Sequence, residues 1–186
     1  LRKRIANVLV LAEDDEQVNL VRRYFGRLGK QNPRVFAPAD GGRSGSGEAF
    51  VRANFAARVR DIQASLGRKT GAYLIVVVDA DTETTKHRRD QLFDALESAN
   101  VAPIMSDEPI ALMIPKRNIE TWIRALCGCP VNEMTDYSRP AVGSDEIKCA
   151  VLSLFNVTRP NAPPPDQTWP PSLTDSIPEW RKIERP

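Results

Sequence analysis

Tyr73–Val78 reads YLIVVV, six apolar residues in a row, stopped at once by Asp79. A strand with one wet face alternates apolar and polar residues, whereas an unbroken apolar run belongs to a strand covered on both faces. The run is also far short of the roughly 20 residues that a bilayer demands. Val8–Ala12 (VLVLA) repeats the pattern and ends in Glu13, Asp14, Asp15 and Glu16. Ile110–Ile114 repeats it again before Pro115, and Arg34–Ala37 gives a weaker strand signal. Between these runs the apolar spacing becomes helical. One stripe joins Val18, Val21, Phe25 and Leu28, and a second runs Val51, Phe55, Val59, Ile62 and Leu66. A third takes Leu92, Ala95, Leu96 and Ala99, and the cleanest takes Ile119, Trp122, Ile123 and Leu126. Gly29 suits the end of the first helix and Asn118 the N-cap of the fourth. Strands alternating with helix-length crossovers imply a parallel sheet covered by helices on both faces.

Residues 1–155 are therefore expected to form an α/β domain of three layers, α/β/α, around a mainly parallel sheet of four or more strands. Past that point the texture changes, because eight of the fifteen prolines lie between Pro160 and Pro186. Such density opposes an ordinary helix. Residues 156–186 are expected to be an extended Pro-rich tail that packs on the domain or leads away from it, pinned by Trp169 and Trp180.

Lys and Arg number 26 against 24 for Asp and Glu, and a net charge of +2 neither demands nor excludes a polyanionic partner. The three cysteines are odd in number and two, Cys127 and Cys129, are separated by one residue, so a disulfide framework is not expected. A zinc site from Cys127, Cys129, Cys149 and His87 would need four distant pieces to converge. No basic-then-apolar leader opens the sequence. The expected setting is the cytoplasm, away from membranes.

In open parallel sheets, sites collect beyond the carboxyl ends of the strands. Both acidic groups of this sequence fall there: Glu13 and Asp14 after the first strand, and Asp79, Asp81 and Glu83 after the third. Carboxylates gathered from two strand ends repel unless a cation joins them, and oxygen donors without His or Cys favour Mg²⁺ or Mn²⁺. The plainer reading is a set of solvated acids in the first turns of helices, where the dipole favours them. That reading weighs most on Asp14 and on Glu120, which follows the Asn118 cap. Basic residues stand close by. Lys86, Arg88 and Arg89 follow the acidic motif, Lys116 and Arg117 follow the fourth strand, and Arg43 lies in the Gly-rich stretch 40–47. These are the expected phosphate contacts, against the plainer reading that they cover solvent faces.

The order of Glu13 and then Asp79-Ala80-Asp81-Thr82-Glu83, each after a strand, resembles the toprim superfamily, the catalytic domain of topoisomerases, bacterial primases and several nucleases. The resemblance spans roughly residues 5–125. It implies a Rossmann-like fold, a general acid or base at Glu13, and magnesium held by Asp79 and Asp81 with Glu83 as a further ligand. A small toprim standing alone is similar to the nuclease branch, which includes RNA-processing and phage-defence enzymes. The implied activity is Mg²⁺-dependent phosphodiester hydrolysis of DNA or RNA, with a protein partner in a larger complex as a further expectation. VLVLAEDDEQVNLVRRYF also resembles the opening of a response-regulator receiver, which would make Asp79 a phosphoryl acceptor. Three acids rather than one follow the third strand, and Pro115-Lys116 reverses that family's Lys-Pro order. A catalytically idle, partner-binding toprim-like subunit is the third alternative.

Overall fold

A computed structural model describes residues 7–29, 32–41, 47–66 and 72–184. The chain runs β1 (Asn7–Ala12), α1 (Asp15–Arg27), β2 (Arg34–Phe36), α2 (Gly47–Leu66), β3 (Ala72–Val77), α3 (Thr85–Ser98), β4 (Ile110–Met113), α4 (Ile119–Leu126), α5 (Ser144–Thr158) and α6 (Pro171–Glu184). All four strands are parallel, in the order β2-β1-β3-β4. The fold is thus a Rossmann-like three-layer α/β arrangement, as the unbroken apolar runs imply. Among the described residues, no helix is long and apolar enough to cross a membrane.

Alternate strand residues feed two cores. Val8, Val10, Ile75, Val77, Ala111 and Met113 face α1, α4, α5 and α6. Leu11, Leu74, Val76, Ile110 and Leu112 face α2 and α3. Local signals set the helix ends. Asp14 caps α1 by accepting from Gln17 N, Gly29 takes a φ of 65° just past it, and Asn118 caps α4 by accepting from Thr121 N.

The C-terminal region departs from the sequence expectation. Thr158 ends a 15-residue helix, α5, so the boundary expected after residue 155 falls inside an element. The proline-rich stretch is not extended throughout, because Pro171–Glu184 is a helix with Pro178 inside it. Pro171 opens that helix, where its missing N–H costs nothing, and Pro178 lies on the exposed face. What outweighs the internal proline is a stripe of Leu173, Ile177, Trp180 and Ile183, each 2% exposed or less. The Trp180 ring meets Tyr24 edge-on at 4.8 Å.

Helix α6 also covers the free edge of β4. Glu179 Oε2 accepts the Leu112 N–H at 3.1 Å, and Lys182 Nζ donates to the Ile110 carbonyl at 3.5 Å. An uncovered edge would present unpaired backbone groups to other chains. Trp180→Ala should cost about 3 kcal/mol in denaturant unfolding. A change within about 0.5 kcal/mol, the range of surface substitutions, would make α6 peripheral to the fold.

Candidate functional site

Parallel pairing sets β1 and β3 side by side with Ala12 opposite Val77, so their carboxyl ends emerge together. Glu13 leaves the first and Asp79 the second, and both are buried, at 9% and 5% exposure. The Asp79 N–H donates to Glu13 Oε1 at 3.2 Å. Gln17 ties the two strand ends together. Its Oε1 accepts from Glu13 N at 2.9 Å, and its Nε2 donates to Asp79 Oδ1 at 3.0 Å. Gln17 is fully buried in the first turn of α1. It was not among the residues expected from sequence, although a polar residue beside the apolar stripe of α1 was a visible signal.

Gly47 lets α2 close on this point. A Cβ there would fall 2.8 Å from both Glu13 Cβ and the Glu13 carbonyl oxygen, so only glycine fits. The next residue, Glu48, also went unpredicted, because only the fold brings α2 to this edge.

Arg88, expected as a phosphate contact, is instead turned inward from α3 and is 6% exposed. Its Nε donates to the Asp79 carbonyl at 2.9 Å and its Nη1 to Gln91 Oε1 at 2.8 Å. Glu48 Oε1 stands 2.6 Å from Nη1, and Asp81 Oδ2 3.7 Å from Nη2. Asp81 comes back to this cation because its φ is 55°, a left-handed turn that Asp tolerates better than most residues. The strand therefore does not persist through the acidic motif. Asp79 points into the protein while Asp81 is exposed.

The remaining acids divide. Glu120 is buried in the first turn of α4, and its charge reaches Asp79. Asp14 is the α1 cap and adds its charge to both Glu13 and Asp79. Glu83 departs from its expected place as a metal ligand. Its carboxylate is exposed and faces His87 at 3.9 Å, because the turn after Asp81 carries it outward. The Glu83 carbonyl, not its carboxylate, meets Lys116 Nζ at 2.6 Å. Arg117 faces Asp136 at 3.8 Å, Lys86 pairs with Asp90, and Arg89 is half-buried on α3. Arg43 lies outside the described residues. The zinc cluster does not assemble: His87 turns to Gln91 and Glu83, while the Cys127 thiol donates to the Glu146 carbonyl at 3.2 Å.

Crowded, buried carboxylates hold their protons. Burial first, and then the charges of Asp81 and Asp14, push Glu13 from 4.5 up to about 8. Burial raises Asp79 well above its ordinary value, with Glu13 the largest charge acting on it. Burial likewise takes Glu120 to about 7 and Asp14 to about 6. Arg88 opposes the trend at Glu13 but does not cancel it.

The sign for stability follows. A carboxyl whose folded pKa is raised stabilises below its unfolded value and loses that contribution as pH rises through the folded value. The cation-free protein should thus lose stability between about pH 4.5 and pH 8, the Glu13 window. Each such group adds up to about 1.4 kcal/mol per pH unit. Denaturant unfolding at pH 5, 6.5 and 8 checks this, and stability that rises over that range would mean that Glu13 is ionised throughout.

All donors facing this site are hard oxygens, which suits Mg²⁺ or Mn²⁺ in chemistry. Their spacing is another matter. Among the described residues, no three His, Cys, Asp or Glu side chains stand together in the arrangement of a ready-made metal site. Gln17 and Arg88 hold Asp79 and Asp81 in hydrogen bonds and ion pairs of their own, so a cation would have to draw these carboxylates together.

Fold and site together define an α/β protein with a parallel sheet and a buried acidic centre at the carboxyl ends of its two middle strands. No protein family, curated protein or solved structure compared with the chain matches it.

Proposed function

We propose that this protein hydrolyses phosphodiester bonds of nucleic acid, DNA or RNA, with Mg²⁺ or Mn²⁺ held by Asp79 and Asp81 and with Glu13 beside them as the general acid or base. The observation that carries the reading is the burial of Glu13 and Asp79 against each other from adjacent strand ends. Two carboxyls whose proton affinity is raised by burial and by each other's charge form a centre that gains from a divalent cation, which offsets that repulsion. The toprim-like order of Glu13, Asp79 and Asp81 adds to this support. When bound, the cation would supply Lewis-acid polarisation of the phosphoryl group and charge for the departing oxygen.

The chain's own residues would do the rest. Glu13, with its carboxyl near 8, is placed to hold or return a proton at neutral pH. Gln17 fixes the Asp79 carboxylate, and Arg88 fixes the Asp79 carbonyl while offsetting Asp81 and Glu48. A receiver-like role for Asp79 has less support, since that carboxylate is buried and tied to Gln17 rather than open to a phosphodonor.

The test is incubation of the purified protein with Mg²⁺ or Mn²⁺ and single- or double-stranded DNA or RNA, with calorimetry of cation binding alongside. Cation-dependent cleavage that EDTA stops is the expected result. Cation binding without cleavage of any of the four substrates would favour the idle, partner-binding reading. No cation binding at all would end the proposal.

A further inference from the structure

One strand over from the acidic centre, at the carboxyl end of β4, a cavity of about 210 Å³ opens between α3 and α6. Taking about 30 Å³ per water, it has room for a tetrahedral oxyanion and part of its hydration shell. Ile114 and Leu112 form apolar wall, while Lys86 and Arg89 reach it from α3 and Ser172 and Ser176 from α6. Among the described residues Arg89 has no ion-pair or hydrogen-bond partner, and Lys86 pairs only with the exposed Asp90 of its own helix.

Ser172 supplies the second, independent observation. It is 7% exposed, and its Oγ accepts two hydrogen bonds, from Trp122 Nε1 at 2.8 Å and from Lys116 N at 3.2 Å. Both acceptor positions of that hydroxyl are thereby used, which leaves its O–H to donate. No described residue receives that proton, and Ser172 lines the cavity. Ser176 differs, since its hydroxyl already donates to the Leu173 carbonyl at 2.7 Å. A buried, unspent O–H beside an unpaired guanidinium and an ammonium matches the donors that phosphate oxygens require. Two carboxylates oppose an anion here: Asp175, which also lines the cavity, and Glu133, whose Oε1 accepts the Ser172 N–H at 2.9 Å.

We propose that this cavity is a phosphate subsite, in which Arg89, Lys86 and the Ser172 hydroxyl hold one phosphate group beside the acidic centre. The identity of its owner, a nucleic-acid strand, rests on the function proposed above, but the subsite itself does not. Its position next to Lys116, which bonds Ser172 through its N–H and the Glu83 carbonyl through its Nζ, connects it to the acidic turn.

The experiment omits divalent cations, so that it succeeds or fails apart from hydrolysis. Inorganic phosphate and a short single-stranded oligonucleotide are titrated separately by calorimetry at constant ionic strength. The subjects are wild type, Arg89→Gln, Asp175→Asn and Ser172→Ala. Phosphate should bind, weaken about tenfold or more in Arg89→Gln, and tighten several-fold in Asp175→Asn. Those two variants change exposed or half-buried side chains, so the result stands even where Ser172→Ala loses stability. If Arg89→Gln weakens both probes, the phosphate belongs to a strand. If it weakens inorganic phosphate alone, the subsite serves a free phosphate or phosphomonoester. Absence of phosphate binding, or affinities that neither Arg89→Gln nor Asp175→Asn alters, would overturn the proposal.

Discussion

Asp79→Asn should lower cation-dependent hydrolysis by about 10²–10³-fold or more while leaving the fold intact. Asn keeps an oxygen for Gln17 Nε2, so the bond that spans the two strand ends survives. It removes the charge on which Glu13, Asp14, Glu120 and Asp81 all press. Without divalent cation the variant should therefore unfold at the same temperature as wild type or a higher one, most clearly at pH 8, where the carboxyls of wild type are driven to ionise. Cation should stabilise wild type by mass action and the variant little. Retained hydrolysis would remove Asp79 from the chemistry. A large loss of stability would instead make it a structural residue.

Arg88→Met should destabilise by about 2–3 kcal/mol, since the guanidinium is buried while its carboxylate partners Glu48 and Asp81 are partly exposed. The Asp79 carbonyl would lose its Arg88 donor, Gln91 would keep only His87 and Glu48 only the more distant Arg52, inside a site crowded with carboxylates. Because Arg88 lowers the proton affinity of Glu13, its removal should also extend the pH-dependent loss of stability above pH 8. Arg88→Lys should recover part of the stability, since a single ammonium restores charge but not the fork that meets three partners. Denaturant titrations at two pH values measure both effects. A cost below about 1 kcal/mol would place Arg88 with ordinary surface arginines.

These two residues show why the site was half legible. Asp79 stood at the end of the chain's most apolar run, so strand and position together marked it. Arg88 sits in a run of basic residues, Lys86 to Arg89, that reads as a solvated face. Only the packing of α3 against α2, which brings Arg88 to Glu48 and to the Asp79 carbonyl, turns one of those four side chains inward. Glu83 shows the opposite error: its spacing fits the motif, yet the left-handed turn at Asp81 sends its carboxylate to solvent.

Local interactions were readable because each depends on residues a few positions apart. Apolar runs determined strands buried on both faces, stripes at helical spacing determined α1 to α4, and Asn118 and Gly29 determined helix ends. The alternation of the two then left a covered parallel sheet as the consistent fold. Contacts between residues distant in sequence had no such local signature. Strand order β2-β1-β3-β4 and the register of Ala12 with Val77 decided that Glu13 and Asp79 meet. The free edge of β4, and the cavity that Trp180 and its stripe could fill, decided that a proline-interrupted segment becomes α6. Propensity counts one residue at a time, and there the apolar surface buried by four side chains outweighed the hydrogen bond that Pro178 cannot make.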